Sequence, residues 1–461
     1  MSIVGAFILP HPPLIFPEIG RGEERKIQKT IDAYREAARR IAELKPDTIV
    51  LATPHSIMYA DSFHISPGSE AEGDLRQFAP QTPRLKVNYD SEFVSLLSQN
   101  AEGDALYAGT LGEKNARLDH GSIIPLHFIE ELYNDYHLVR VSISGLPFSD
   151  HYRLGKCIAR TSDQLQRRTV FIASADLSHR LKDDGPYGFS PEGPKFDQSI
   201  TKAMAEGDFI QMLKYASDFC EKAGECGLRS CIMMAGALDQ MDVNSELLSY
   251  EGPFGVGYAV AAFIPTQKNN QRAFLDQFNA EEQKQLEMIQ NNEDPYVRLA
   301  RSALEHYIKT GKRVALPADL PEDMLSEQEG VFVSLKKHGQ LRGCIGTIAP
   351  VTENVASEIC RNAVSAAVED PRFDPISQDE LSKLVYSVDV LETPQPIDSQ
   401  DQLDVLHYGV IVSSGHKRGL LLPNLEGVET VQQQIDIARQ KAGIRDGESF
   451  KLERFKVVRH K

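Results

Sequence analysis

Three histidines follow short apolar segments of the chain, and together they could bind a transition metal. His11 follows "IVGAFIL", His55 follows "TIVLAT" and His179 follows "TVFIAS", each within five residues of the end of its segment. A neutral imidazole is a good ligand for iron, zinc and copper, and because it titrates near neutral pH it can also move a proton. One such histidine is usually an ordinary loop residue, but three in the same position predict a shared site.

Four other side chains are candidates to complete this site. His120 lies in a turn before a predicted helix whose expected N-cap is Ser122, and it could donate to a substrate oxygen or be an ordinary turn residue. In the segment "GECG", Glu225 and Cys226 each offer a third ligand, because carboxylates and thiolates both bind such metals. Glu251, near a strand end, ranks below them. The residues alone leave the third ligand and the metal open.

The elements that would position these side chains alternate along the first part of the chain. Apolar, β-branched segments predict buried strands at 3–9, 48–53, 137–143, 169–174 and 257–264. Amphipathic spacing predicts helices at 23–44, 149–167, 194–217 and 228–241. This alternation predicts an α/β/α domain with a largely parallel or mixed central sheet. Since ligand sites form beyond the carboxyl ends of parallel strands, the three histidines should meet at one edge.

The pattern changes after residue 265. Residues 266–279 are polar and are predicted to be a linker. Residues 280–461 are predicted to form an α+β domain, in which helices are combined with short strands in mixed or antiparallel pairing. The sequence therefore predicts a metal-binding domain over residues 1–265 and a second domain over 280–461.

Length and composition exclude several classes of protein. A chain of 461 residues is too long to fold around a single hydrophobic core, so two or more domains are expected. Its composition, with 41% hydrophobic and 25% charged residues, is typical of a soluble globular protein. The net charge of −16 argues against nucleic-acid binding. The N-terminus lacks the basic start and the small-residue cleavage site of a signal peptide, and the first apolar run is too short to span a membrane. The six cysteines are therefore expected to be reduced thiols in the cytoplasm. The sequence does not determine the oligomeric state, and it is compatible with a homo-oligomer.

Five strings in the first domain together resemble one enzyme superfamily. They are "LPHPPL", "TPHS", "LDHGSIIPL", "SADLSH" and "ECGLRS". Over residues 1–265 the chain resembles the class III (LigB-type) extradiol dioxygenases, and more closely their Memo-like branch. The resemblance implies ferrous iron bound by His11 and His55, with His179 as acid/base and His120 in contact with substrate.

The resemblance also bears on the third ligand. In the dioxygenases this ligand is a glutamate, whereas the alignment puts Cys226 at that position here, as in the Memo-like proteins. Glu225 is one residue away and could take the role instead. A cysteine ligand departs from the ring-opening enzymes, so copper or zinc are alternatives to iron.

The second domain resembles the AMMECR family over about residues 280–461, through "LRGCIGT", "EDPRFDPIS" and "YGVIVSSGHKRGLLLPN". In microbes such domains occur with a Memo-like protein and a radical S-adenosylmethionine protein, so the fusion implies a radical-enzyme partner. A second site could use Arg342, Arg372 and Arg418 to attract an anion and Cys344 as a nucleophile. The favoured alternative is a buried thiol in a tight turn with surface arginines.

The leading hypothesis is a metal-dependent oxidoreductase of dioxygenase ancestry that acts on a small, catechol-like substrate. A second hypothesis is a metal-binding accessory or scaffold protein that serves a radical enzyme without turning over a substrate. Cys226 and the AMMECR-like domain favour the second. A zinc hydrolase ranks last, because no nucleophile or paired carboxylate requires it.

Overall fold

The computed structural model describes residues 2–114, 117–425 and 427–461. The chain divides into two compact units, residues 1–281 and 282–461. The predicted linker, 266–279, contains the end of a strand, a 3-10 turn and the beginning of a helix. The side chains at the end of that strand are exposed, so its polar sequence looked like a linker.

In the part of the N-terminal unit that the structure describes there are ten strands, with helices around them. The strands are β1 (Ile3–Leu9), β2 (Thr48–Thr53), β3 (Phe63–His64), β4 (Glu70–Asp74), β5 (Arg84–Asn88), β6 (Ala108–Gly109), β7 (His137–Ser142), β8 (Thr169–Ser174), β9 (Met241–Glu251) and β10 (Tyr258–Lys268). The helices are α1 (Pro17–Gly20), α2 (Gln28–Leu44), α3 (Ser91–Gly103), α4 (His120–Glu130), α5 (Phe148–Leu165), α6 (Glu192–Glu206), α7 (Phe209–Leu213), α8 (Ser217–Ala223), α9 (Leu228–Ala237) and α10 (Phe274–Asn292), the last of which continues into the second unit.

A six-stranded sheet in the order β7-β2-β8-β1-β10-β9 forms the centre of this unit. The first four strands are parallel to one another, β10 is antiparallel to β1, and β9 is antiparallel to β10. Both faces are buried: Ala6 and Ile8 belong to the core beneath α5, α6 and α9, and Phe7 and Leu9 to the core beneath α2 and α4. Burial on both faces explains why these strands are uninterrupted apolar runs. The predicted α/β/α domain with a mixed sheet is confirmed.

Three helix predictions were wrong in their bounds. The pattern predicted over 194–217 is divided by Gly207, which adopts a φ of 65° and ends α6. The helix predicted over 228–241 ends at Ala237, and the chain then enters the edge strand β9. Residues 23–27 form a 3-10 turn in front of α2. At Gly207, the left-handed conformation that glycine readily adopts ends the helix, and this local signal outweighed the apolar spacing.

The C-terminal unit is built from antiparallel sheets and helices. Its strands are β11 (Gly330–Lys337), β12 (Gln340–Gly346), β13 (Leu384–Leu391), β14 (Gln395–Ile397), β15 (Gly409–Ser414), β16 (Lys417–Leu421), β17 (Lys451–Phe455) and β18 (Val457–His460). Its helices are α11 (Pro295–Thr310), α12 (Glu322–Ser326), α13 (Val355–Val368) and α14 (Val431–Ala442). The two sheets have the orders β12-β11-β13-β18 and β14-β17-β15-β16. The predicted α+β class is confirmed.

Two further features concern the whole chain. None of the helices in the described ranges is long and apolar enough to cross a membrane. All six cysteines are unpaired, and three of them are fully buried.

Candidate metal centre

The site lies at the carboxyl ends of three neighbouring parallel strands. β8 lies between β2 and β1 and pairs with both. His11 and His55 each follow their strand by two residues, and His179 follows β8 by five. Because the strands are parallel and adjacent, all three histidines leave the sheet at the same edge.

The possible ligand atoms of His11, His55 and Cys226 face one another. His55 Nε2 is 2.9 Å from His11 Nε2, and Cys226 Sγ is 3.5 Å from the same atom. All three atoms lie within 4.8 Å of one another, and no other set of three His, Cys, Asp or Glu side chains in the described ranges does so. His11 is buried, Cys226 is half-buried and His55 is exposed, so the group opens to solvent on the His55 side.

The structure places Cys226, and not Glu225, with the two histidines. Glu225 Oε2 accepts a 2.6 Å hydrogen bond from the Leu228 backbone amide at the beginning of α9. That carboxylate therefore serves one of the unpaired amides of a helix N-terminus. Glu251 is also occupied elsewhere, since it accepts from both the amide and the hydroxyl of Thr30 at 2.8 Å.

A serine fixes the tautomer of His11. The Ser174 hydroxyl donates to the Gly121 carbonyl at 2.6 Å, so its oxygen is left to accept from His11 Nδ1 at 2.9 Å. The proton of the neutral ring is thus on Nδ1, and Nε2 has a free lone pair directed at His55 and Cys226. This is the second hydrogen bond that usually orients a metal-binding histidine.

Asp176 belongs to this site, and the sequence analysis missed it. Its Oδ1 accepts from the His11 amide at 2.7 Å, and its Oδ2 is 3.7 Å from His11 Nε2. The Cys226 thiol donates to the Asp176 carbonyl at 3.7 Å. Burial raises the pKa of Asp176 to about 7. Asp176 follows β8 by two residues, as His11 and His55 follow their strands, so this spacing was a signal that could have identified it.

His120 lies beside the pair of histidines, at the beginning of α4. Its ring centroid is 4.0 Å from that of His55 and 5.5 Å from that of His11. The N-cap is Asp119 and not Ser122: the carboxylate accepts from the Ser122 amide and hydroxyl, so the helix begins before the expected cap. Asp119 also accepts from the Thr53 hydroxyl at 2.7 Å, which fastens α4 to the end of β2.

Gly121 allows α4 to approach the edge of the sheet. A Cβ atom at this position would lie 2.7 Å from Thr53 Oγ1 and 3.2 Å from Ser174 Oγ. Any larger residue would displace the two hydroxyls that hold Asp119 and His11. The glycine after His120 is therefore part of what keeps the site compact.

His179 approaches from the loop after β8. Its Nδ1 donates to the Gly224 carbonyl at 2.6 Å, so the lone pair of the neutral ring is on Nε2. The Tyr187 ring stands edge-on at 5.2 Å. Because Gly224 precedes Glu225 and Cys226, this hydrogen bond joins the His179 loop to the segment that supplies the thiol.

Loss of hydration inside the site keeps all four histidines neutral, including His55, whose ring is exposed on its outer side. It lowers the pKa of His11 well below its usual value and that of His55 to about 4, and the neighbouring imidazoles lower both further. Burial also lowers the pKa of His120 and His179. It raises the pKa of the Cys226 thiol well above its usual value, so a metal would have to displace that proton.

Comparison with known families assigns both units. The family described as the catalytic LigB subunit of aromatic ring-opening dioxygenase matches residues 5–261. The chain belongs to the LigB family. The AMMECR1 family matches residues 297–460, so the predicted fusion of a LigB-type domain with an AMMECR-type domain is confirmed.

Proteins with similar sequences match either the whole chain or a part of it. Protein CA_C1420 of Clostridium acetobutylicum is 40% identical over 469 residues and covers all of both chains. A Thermotoga maritima protein is 46% identical over 171 residues, which are 37% of this chain and 98% of its own. A crystal structure of the uncharacterized protein PH0010 from Pyrococcus horikoshii has 33% identity, a TM-score of 0.33, and covers 36% of this chain and 88% of that one.

A polar cavity of about 410 Å³ adjoins the candidate metal centre of the LigB domain. His55 and His120 line it together with His64, Gln77 and Arg140, and most of its other lining residues are polar. Arg140 is buried and donates to the Ser66 hydroxyl at 2.7 Å. A molecule bound beside the two histidines would therefore meet hydrogen-bonding groups on its far side.

In the AMMECR1 domain, each of the three arginines of the predicted second site forms an ion pair. The arginines are paired as Arg342 with Glu380 at 2.9 Å, Arg372 with Asp370 at 2.7 Å and Arg418 with Glu453 at 3.2 Å. Arg418 lies on β16, in the sheet that does not contain Arg342. Each guanidinium already has a carboxylate partner.

Cys344 makes hydrogen bonds to the residues around these arginines. It lies in strand β12 and is half-buried, not in a tight turn as the favoured alternative had it. Its amide donates to Asp370 at 2.9 Å, and its sulfur accepts from the Ser334 hydroxyl at 3.2 Å. Arg372 donates to the Cys344 carbonyl at 3.2 Å. These contacts describe a cross-strand structural cluster.

Proposed function

We propose that the LigB domain is a metal-dependent oxidoreductase, with ferrous iron as the metal and a small, catechol-like molecule as the substrate. The observation that carries this proposal is the convergence of the His11, His55 and Cys226 ligand atoms within 4.8 Å. Two imidazoles and a thiolate suit iron, and also copper or zinc, and three protein ligands leave positions open for other molecules. The donor set fits the kind of metal that LigB membership implies.

Residues around the ligands prepare them for a metal. When bound, iron would supply Lewis acidity and electron exchange with dioxygen. Ser174 keeps the proton of His11 on Nδ1, so that Nε2 can bind a cation. The lowered pKa values of His11 and His55 mean that neither ring has to lose a proton first. Only the Cys226 thiol has to do so, which makes metal binding release one proton.

His179 and His120 are proposed to act on the substrate. The hydrogen bond from His179 Nδ1 to the Gly224 carbonyl leaves Nε2 able to accept a proton from a substrate hydroxyl and to return it to the product. Because burial lowers the pKa of His179, the ring begins as the base at neutral pH. His120, next to the His55 ring, would donate to a substrate oxygen.

Metal analysis tests the centre directly. The full chain, purified without oxygen, should contain about one iron, copper or zinc ion, and the His11→Ala/His55→Ala variant should retain less than about 0.1 ion, since one thiol cannot hold a metal alone. His137, an exposed residue at the beginning of β7, gives the control: His137→Ala should keep its metal. Full metal retention in the double variant would contradict the proposal.

Oxygen uptake tests the reaction. An oxygen electrode should record consumption when catechol is added to the iron-loaded chain. His179→Ala should lower that rate about 10²–10⁴-fold, the usual contribution of a general base, without changing the iron content. Equal rates in the two proteins would remove His179 from the reaction.

One observation favours a second function, that of a metal-binding accessory protein. The third donor in the group is the Cys226 thiol, and the sequence resemblance implies that it stands where the dioxygenases have a glutamate. In this alternative the two domains serve a radical S-adenosylmethionine protein as partner and turn over no substrate. Co-purification of that partner, together with no oxygen uptake on any catechol by the iron-loaded chain, would select the accessory function.

We also propose a cytoplasmic location. All six cysteines are unpaired, as they are in proteins kept in a reducing compartment. A site that contains the Cys226 thiol needs this protection, because a thiolate beside a redox metal is readily oxidised. Cell fractionation should recover the chain with the cytoplasmic markers, and recovery outside that fraction would contradict the assignment.

A further inference from the structure

Tyr258 begins β10 at the same edge of the sheet as the metal centre. The residue before it, Gly257, exchanges two 2.8 Å backbone hydrogen bonds with the loop after β8: its amide donates to Ser178, and its carbonyl accepts from Leu177. That loop carries Asp176 and His179. The antiparallel strand β10 therefore enters the sheet at the edge where the parallel strands leave it.

Two groups of the site act electrostatically on the Tyr258 hydroxyl. The charges that act on it are those of Asp176 and Tyr187. Asp176 accepts from the His11 amide, and the Tyr187 ring stands edge-on to His179. The side chain behind a proposed metal ligand and the side chain beside the proposed base are thus both close enough to act electrostatically on Tyr258.

This hydroxyl has no hydrogen-bond partner among the residues that the structure describes, although Tyr258 is only 3% exposed. Buried tyrosine hydroxyls normally find a partner. Tyr34, Tyr136 and Tyr152 of the same unit donate to Pro10, Glu130 and Asp239, respectively. The Tyr258 hydroxyl is not sealed inside the protein, so a bound molecule could reach it.

We propose that the Tyr258 hydroxyl donates a hydrogen bond to the small ligand that binds at the His11–His55–Cys226 centre. The proposal rests on the metal centre described above and adds a residue from outside the motifs of the sequence. Burial, together with the charges of Asp176 and Tyr187, raises the pKa of Tyr258, so the group stays protonated at neutral pH. A protonated phenol offers one donor, which favours a ligand with an anionic oxygen or nitrogen.

Cobalt and azide provide a test that needs no turnover. Co(II) loaded into the full chain has visible absorption bands that change when azide binds to the metal. The titration gives the Kd of Co(II) and the Kd of azide for the wild type, for Tyr258→Phe and for a control. Tyr386→Phe is the matched control, because Tyr386 is 1% exposed and its hydroxyl also lacks a partner, but it lies on β13 in the other unit.

The expected result is a change in ligand binding alone. Tyr258→Phe should weaken azide binding about tenfold, as the loss of one hydrogen bond to an anion does, while the Kd of Co(II) stays within about twofold. Tyr386→Phe should change neither constant. An unchanged azide Kd in Tyr258→Phe would overturn the proposal, and so would an equal loss of Co(II) affinity, because Tyr258 would then act on the metal ligands or the fold.

Failure of the proposed reaction gives a different result. A chain that binds azide through Tyr258 but consumes no oxygen with catechol would support this inference and contradict the oxidoreductase. A wild-type chain that does not bind Co(II) would overturn both.

Discussion

The LigB and AMMECR1 domains each contain a cluster that the sequence marks for chemistry, and the two clusters differ in what their polar atoms contact. In the LigB domain, the ligand atoms of His11, His55 and Cys226 face one another. In the AMMECR1 domain, Arg342 and Arg372 are paired with the carboxylates of Glu380 and Asp370. Motif residues are thus clustered in both domains. In the LigB domain their ligand atoms are available to a metal, whereas in the AMMECR1 domain the arginines are already paired with carboxylates.

The difference shows how a site can be told from a structural cluster. His11 and His179 each use Nδ1 to hold the ring, through Ser174 and the Gly224 carbonyl, and leave Nε2 with a free lone pair. Arg372 uses its guanidinium on Asp370 and on the Cys344 carbonyl. In a functional side chain, one polar atom is held by a hydrogen bond within the protein and another is left available to a ligand. In a structural side chain, the polar atoms contact other groups of the same protein.

Among the predicted effects, acidification should produce the largest difference in stability between the two domains. Burial lowers the pKa of His151 from its usual 6.5 to about 3, so between these values the unfolded chain binds a proton that the folded chain does not. The contribution of His151 to the stability of the N-terminal unit therefore decreases by about 1.4 kcal/mol for each unit by which the pH is lowered in this range. The other buried histidines act in the same direction, whereas the Asp176 carboxyl, with its pKa raised to about 7, opposes them. Every described histidine of the C-terminal unit is half-buried or exposed.

Hydrogen exchange at pH 7 and pH 4.5 would measure this. Protection in the N-terminal unit should decline first. A His151→Phe variant should show a shallower dependence on pH, whatever its stability at pH 7. Parallel loss of protection in both units, or an unchanged slope in the variant, would contradict the comparison.

Removal of the residue that orients His11 should weaken the metal centre without unfolding it. Ser174→Ala should lower metal affinity about 10-fold or more, the usual effect of losing the group that orients a metal-binding histidine. Ser162→Ala is the matched control, since Ser162 is also fully buried but bonds to Thr169 at the opposite end of β8. Titration with Co(II) gives both affinities. Equal affinity in Ser174→Ala and the wild type would mean that the tautomer of His11 does not matter.

The smallest effect is expected in the AMMECR1 domain. The Arg372 side chain is 54% exposed, so Arg372→Ala should lower stability by no more than about 1 kcal/mol. Because Asp370 already neutralises this arginine, inorganic phosphate should protect the wild type from thermal unfolding no better than the variant. Phosphate protection that is lost in Arg372→Ala would show that the predicted anion site exists after all.

Much of this arrangement could be predicted because strand pattern and histidine position are local signals. Strands buried on both faces are continuous apolar runs, and the residues after them meet at one edge once the strands are parallel. The edge strand β9 was missed, because its half-exposed residues give no apolar run. Asp176 was missed because only histidines after strands were considered as candidates. It nevertheless follows β8 by two residues, just as His11 follows β1.

The third ligand could not be predicted, for a different reason. Glu225 and Cys226 are adjacent, and which of them faces the histidines depends on the path of the backbone between α8 and α9. Gly224 has a φ of 65° and ends α8, after which the Glu225 carboxylate meets the Leu228 amide. The sequence marks Gly224 as flexible, but it does not reveal the direction in which the chain then turns.

X-ray absorption at the zinc edge of the zinc-loaded full chain tests the central claim most directly. A centre formed by His11, His55 and Cys226 should show nitrogen neighbours and one sulfur neighbour at about 2.3 Å. The sulfur signal should vanish in Cys226→Ala and remain in Cys231→Ala, whose substituted thiol is buried five residues further along. A wild-type spectrum with only nitrogen and oxygen neighbours, or a sulfur signal that survives in Cys226→Ala, would contradict the proposed centre.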